Sequence, residues 1–246
     1  MRPEKKQQFL ERWAQYFPGA ELPLVLSYED APGSAERVQP KGWRCVICEL
    51  ARVREGASLC FDAESVTCGG GQRYLGFVPE LRPGFEHFLS CGIPGEMEGE
   101  RYKKSPELVR ELLARMPDFE APARYLVAKR WDRLATEDEP EVVVFLAPPD
   151  VLSGLFTLAG YAEPGMDAVT APFGSGCASV VYHPYLELAS AHPRAVLGMF
   201  DVSARPCVPA EVLTFAVPWS KFAVMVDDMD ESFLITGSWH KVRARM

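Results

Sequence analysis

A chain of 246 residues is long enough to bury roughly 70% of the surface its unfolded form exposes, so a core can form without disulfide or metal staples. Hydrophobic residues at 48% and charged residues at 24% match an ordinary globular protein and exclude disordered, fibrous and coiled-coil chains. Thirty-four acidic against 26 basic side chains leave a net charge of −8, which opposes general nucleic-acid binding and attachment to anionic membranes.

The first segment, residues 4–17, places Phe9, Leu10, Trp13, Tyr16 and Phe17 at helical spacing, and Pro18-Gly19 stops that helix. Its charges stand where a signal peptide needs an apolar run, so a cytoplasmic protein is expected. Leu22 to Tyr28 reads as a strand, Trp43 to Arg54 as a helix ended by Gly56, and Ser58 to Asp62 as a short strand. Cys68-Gly69-Gly70-Gly71 reads as a tight turn, with a helix opening at Gln72. Residues 79–140 are punctuated by Pro and Gly, and only Pro106–Met116 is clearly helical there; an extended ribbon or a lid suits the rest. Val142 to Leu146 is a buried strand, followed by a helix from Val151 to Tyr161 with Asp150 as its N-cap. Pro148, Pro149 and Asp150 break this most apolar window, so no membrane span is expected. A helix over Cys177–Tyr182 should end or bend at His183-Pro184; Ala195–Phe200 is a strand and Trp219–Met229 the last helix.

The predicted fold is α/β, with mixed α+β as the variant: one domain over residues 1–246, built on a mixed sheet flanked by helices. Two halves, residues 22–78 and 141–235, read as pseudo-repeats around the irregular middle. Phe61-Asp62 precedes Cys68 as Phe200-Asp201 precedes Cys207, with five residues between Asp and Cys each time, and Cys48 and Cys177 each open the preceding helix. Related halves would place a ligand cleft at their junction.

Seven cysteines, at 45, 48, 60, 68, 91, 177 and 207, are an odd number in a reducing compartment, where thiols are buried, catalytic or metal-bound more often than paired. Cys45-x2-Cys48 has ligand spacing for zinc or an iron–sulfur cluster, with Cys60 and Cys68 as further donors, but the spacing is not that of a zinc ribbon. Two small core thiols on one helix face are the plainer reading. The stronger signal is the pairing of a thiol with a glycine turn ahead of a helix, at Cys68-Gly69-Gly70-Gly71 and at Gly174-Ser175-Gly176-Cys177. Unpaired amide hydrogens there favour a thiolate or a bound anion; the alternative is that the glycines only permit close packing. His183 and His192 both precede proline and read as turn residues, and Asp227-Asp228-Met229-Asp230-Glu231 reads as a solvated helix end.

Cys48-Glu49-Leu50-Ala51-Arg52, Asp62-x-Glu64-x2-Thr67-Cys68-x-Gly70-Gly71 and Leu75-Gly76, followed by Gly174-x-Gly176-Cys177-Ala178, Pro184-Tyr185-Leu186 and Glu211-x3-Phe215-x-Val217-Pro218, form an ordered set. With these motifs, residues 22–235 resemble the uncharacterised ArCR proteins, a family defined by a domain of unknown function. The resemblance implies Cys48, Cys68, Gly70 and Cys177 as site positions and supplies no activity. Cys45, Cys60 and Cys91 have no counterpart in it, and the cysteine that ends the family's later strand is missing between Gly198 and Arg205.

The reading is therefore a protein that binds a small anionic ligand, a cofactor, or a zinc or iron–sulfur centre in a cleft. Gly69, Gly70, Gly71, Gly174, Gly176 and Arg205 would hold the ligand, and Cys48, Cys68 and Cys177 the metal. The alternatives are a thiol-dependent enzyme, with Cys68 or Cys177 as nucleophile or redox residue and Arg205, Arg73 or a histidine as its electrostatic partner, and a structural protein with inert thiols. Tryptophans 43, 131, 219 and 239 could anchor a homo-oligomer or fill the core.

Overall fold

The computed structural model describes residue 1, residues 3–42 and residues 44–246. Helix α1 (Pro3–Tyr16) buries Phe9, Trp13 and Tyr16 along one face and leads to β1 (Leu24–Glu29) and the two-residue β2 (Glu36–Arg37). Then come α2 (Val46–Arg54), β3 (Leu59–Phe61), the short helices α3 (Gly69–Tyr74) and α4 (Phe85–Phe88), α5 (Pro106–Ala114) and β4 (Tyr125–Arg130). Next are β5 (Val142–Ala147), α6 (Pro149–Ala159) and β6 (Val169–Thr170), after which a π-helical turn over Ala178–Tyr182 runs into α7 (His183–Leu188). The chain closes with β7 (Ala195–Gly198), β8 (Leu213–Pro218), α8 (Trp219–Asp228) and α9 (Gly237–Arg243).

Among the described residues, eight strands form one mixed sheet in the order β2-β3-β4-β1-β5-β8-β7-β6. Only the outer pairs β2/β3 and β6/β7 are parallel; every other pair is antiparallel. Exchanging β1–β4 with β5–β8 returns the same order and the same pairing senses. The two parallel pairs are each joined by a helical crossover, α2 on one side and the π turn with α7 on the other. This is the mixed α/β fold expected from the sequence.

Helices cover both faces of the sheet, which explains the unbroken apolar run of β5. Val142, Val144 and Leu146 face the layer that contains α2, α3, the π turn and α7. Val143, Phe145 and Ala147 face the opposite layer of α1, α6, α8 and α9. Each large apolar side chain buried this way contributes roughly 1.5–3 kcal/mol of transfer free energy.

Several expected boundaries are corrected. Trp43 lies outside the described residues, and α2 begins at Val46, with Cys45 as its N-cap. Gly69–Gly71 are the first turn of α3 rather than a loop before it. Pro148, not Asp150, is the N-cap of α6, which leaves Asp150 in the first turn. His183-Pro184 does not end the helix. Pro184 has no amide to donate to the preceding turn, and the wider π turn over Ala178–Tyr182 accommodates it as the chain continues into α7. The middle segment also contains a central strand, β4, where no strand is expected.

Candidate functional site

Three loops and the start of α2 converge on the sheet face that carries α2 and the π turn. After β3 the chain turns through Asp62, whose carboxylate accepts the amides of Glu64 and Ser65 (3.2 and 2.8 Å) and the Arg37 guanidinium, and so reaches Cys68, the N-cap of α3. After β7, Met199 has a positive φ of 69° with its side chain buried, an uncommon backbone for a non-glycine residue, and its amide donates to Ser179 Oγ. This kink brings Asp201 under the second glycine turn, where its carboxylate accepts the Gly176 amide at 2.9 Å, the Ser203 amide at 3.1 Å and the Ser203 hydroxyl at 2.8 Å.

Cys68, Gly69–Gly71, Gly174–Cys177, Asp201 and Ala204, together with Cys45 and Ile47, line a cavity of about 390 Å³, within the range of small-molecule sites. Its roof comes from the irregular middle: Phe85, Phe88, Leu89, Met97, Leu112 and Met116 are nearly all apolar, and Phe173 joins them from the other half. Tyr102 fastens this roof to the floor. Its hydroxyl donates to Asp201 at 3.3 Å and accepts the Ser203 amide at 2.9 Å. Arg82 stands at the rim, exposed, and forms no ion pair among the described residues; its side chain lies 3.7 Å from where a Cβ on Gly69 would project.

The glycines divide between two roles. A Cβ on Gly176 would sit 2.8 Å from Ile47 Cγ1 and 3.2 Å from Ala204 Cβ, and one on Gly71 would meet Val66 Cγ1 at 3.0 Å, so both are needed for close packing. Gly69 and Gly70 have ordinary space around them, with Tyr74 no nearer than 3.9 Å to a Cβ on Gly70.

Cys45, Cys68 and Cys177 all reach the cavity wall. Cys177 is 5% exposed, and burial, reinforced by the neighbouring Cys45, Cys68 and Asp201, pushes its thiol well above the usual range. Burial also raises Cys45, with the nearby amides of Cys48 and Ile47 acting in the opposite direction.

Cys48 is not the free ligand expected. It is joined to Cys207 by a disulfide across 159 positions of sequence, with the Cα atoms 4.7 Å apart. The expected metal set of Cys48, Cys68 and Cys177 is not gathered. Among the described residues, the ligand atoms that lie within 4.8 Å of one another are the sulfurs of Cys45, Cys48 and Cys207.

The matched family profile, described as Uncharacterised ArCR, spans residues 24–228. The chain belongs to the ArCR family. No curated protein and no solved structure matches it. In this ArCR chain the matched span runs from the start of β1 to the end of α8, so the whole sheet, both glycine turns and the disulfide fall inside it.

Arg205 lies outside the cavity lining. Its guanidinium donates to the carbonyls of Val212 (2.6 Å), Ala210 (2.7 Å) and Pro209 (3.3 Å), pinning the loop before β8. Arg73 is buried outside the cavity lining, 5.9 Å from the Tyr182 ring centre, with Asp118 4.0 Å away. His183 is partly buried, and desolvation lowers its pKa to about 4, keeping it neutral. In the acidic run, Asp230 pairs with Arg12 and accepts the Tyr16 hydroxyl, a structural use. No helix among the described residues is long and apolar enough to cross a membrane.

Sequence reasoning missed Arg82, Tyr102 and the grouping of Cys45 with Cys207. The repeated Phe-Asp phrase was the one available signal for Asp201, since both aspartates accept amides from the turns that follow them.

Proposed function

We propose that this ArCR chain binds a small amphipathic molecule, a ligand or organic cofactor, in the cleft between its two similarly arranged halves. The apolar body would lie under the roof and an anionic end would meet Arg82 at the rim. The observation that carries this reading is the single cavity that unites both glycine turns beneath an apolar cover. The anionic end is assigned to the Arg82 side because Asp201 already occupies the Gly176 amide, and its negative charge would repel a second anion at that turn. Among the thiols, Cys68 is the one the alternative thiol-enzyme reading favours: it is half-buried in the cavity wall, whereas Cys177 is held as a neutral thiol.

Anilinonaphthalene sulfonate, an apolar ring system with one anionic group, is the probe. Saturable binding of one molecule per chain is expected, weakened about tenfold or more by Arg82→Glu, which corresponds to about 1.4 kcal/mol. Binding that does not saturate, or that Arg82→Glu leaves unchanged, refutes the reading.

A further inference from the structure

A second grouping of sulfurs stands at the edge of the cavity and shares Cys45 with its wall. Cys45, Cys48 and Cys207 bring their sulfur atoms within 4.8 Å of one another, although Cys207 arrives from the other half of the chain. Three thiolates around one tetrahedral ion, with metal–sulfur bonds near 2.3 Å, stand about 3.8 Å apart, so the grouping has the size of a single-ion site. Cys45 and Cys48 are the two ends of a CxxC segment at the N-terminus of α2. Cys45 carries a free thiol and also lines the cavity, while Cys48 is exposed to reductants from solvent.

We infer that Cys45, Cys48 and Cys207 form a redox-gated site for one thiophilic divalent ion of the zinc class, closed while Cys48 and Cys207 are joined and opened by their reduction. A small dithiol supplies the two electrons. One of its thiolates attacks a sulfur of the Cys48–Cys207 bond, the second resolves the mixed disulfide, and the products are two cysteine thiols and the oxidised dithiol. The ion then displaces three protons from Cys45, Cys48 and Cys207. Three protein sulfurs leave the fourth coordination position to water or another exchangeable ligand, the arrangement of zinc sites that keep an open position.

The inference goes beyond the ligand-binding reading and does not depend on it, because neither Arg82 nor the apolar roof takes part. Cobalt(II) is the probe, added anaerobically to the full chain before and after dithiothreitol treatment and desalting. The reduced chain should bind one cobalt, with thiolate-to-cobalt absorption in the near ultraviolet and tetrahedral bands at longer wavelength, all bleached by zinc; the unreduced chain should give neither. Cys48→Ser and Cys207→Ser should lose the bands, whereas Cys91→Ser should keep them. The comparison is made among reduced proteins, all of which lack the disulfide, with circular dichroism confirming equal folding. A reduced wild type that gives no bands, whether folded or unfolded, overturns the inference. So do bands of equal strength in Cys48→Ser and Cys207→Ser.

Discussion

Gly176→Ala tests how the site is built. The glycine does not use a left-handed backbone conformation, so alanine brings no conformational penalty; the cost is steric. The new Cβ would lie 2.8 Å from Ile47 Cγ1, 3.3 Å from Ile47 Cδ1 and 3.2 Å from Ala204 Cβ, against a comfortable carbon–carbon separation of about 3.8 Å. Either the second glycine turn or the start of α2 must move by about 1 Å, and overpacking of that kind costs about 1–3 kcal/mol. For a chain of this length, each kcal/mol lowers the melting temperature by about 2–4 °C. Ile47→Ala removes two of the three opposing carbons, the closest included, and leaves Ala204 Cβ at 3.2 Å. It costs about 2–5 kcal/mol alone, but in the double variant it relieves the clash. Urea denaturation of the four proteins should therefore show the double variant more stable than the sum of the singles by about 1 kcal/mol or more. Gly70→Ala, with no atom closer than 3.9 Å, is the control and should be neutral or stabilising by up to about 1 kcal/mol. Additivity of Gly176→Ala and Ile47→Ala within about 0.3 kcal/mol refutes the argument that this turn packs on α2 through a missing side chain.

Three further outcomes are expected. His183 has a folded pKa of about 4, below its ordinary 6.5, so the stability it confers is complete above pH 6.5 and is lost as pH falls toward 4; His183→Gln should flatten that part of the denaturation-midpoint profile. Opening the Cys48–Cys207 link releases a loop of 159 positions, which in the chain-entropy description removes up to about 5 kcal/mol, to be read as a lower denaturant midpoint in dithiothreitol without added metal. Iodoacetamide at pH 8, followed by peptide mass analysis, should label exposed Cys91 readily and leave Cys177 unlabelled until the chain unfolds, because burial keeps Cys177 protonated; early labelling of Cys177 contradicts the fold around the π turn.

Much of the framework can be read from local pattern. The helical stripe of α1 and the apolar run of β5 carry their own periodicity, and the Cys–Gly phrases mark both turns of the cavity floor. Strand β4 was hidden because Lys129 and Arg130 end its apolar run. Lys129 can be buried only because Asp138, nine positions on, meets it at 2.6 Å, a partner no local pattern announces. Strand β8 was hidden behind the prolines and turns that precede it. The disulfide was not legible either: Cys48 and Cys207 meet because the fold brings the start of α2 against the connection between β7 and β8, and spacing along the chain carries no trace of that. Arg205 looked like an anion ligand from its position alone, yet three backbone carbonyls claim it once the loop is folded.

The connection between β3 and β4 spans residues 62–124, while its counterpart between β7 and β8 spans only 199–212. The symmetry of the strand order therefore stops at the cavity, whose cover comes mainly from one half, with Phe173 added from the other. Because the long connection contributes its side chains to the cover while β3 and β4 pair within the sheet, substitutions at cover positions such as Phe85, Phe88 and Leu112 change the shape of the cavity at positions that belong to no strand.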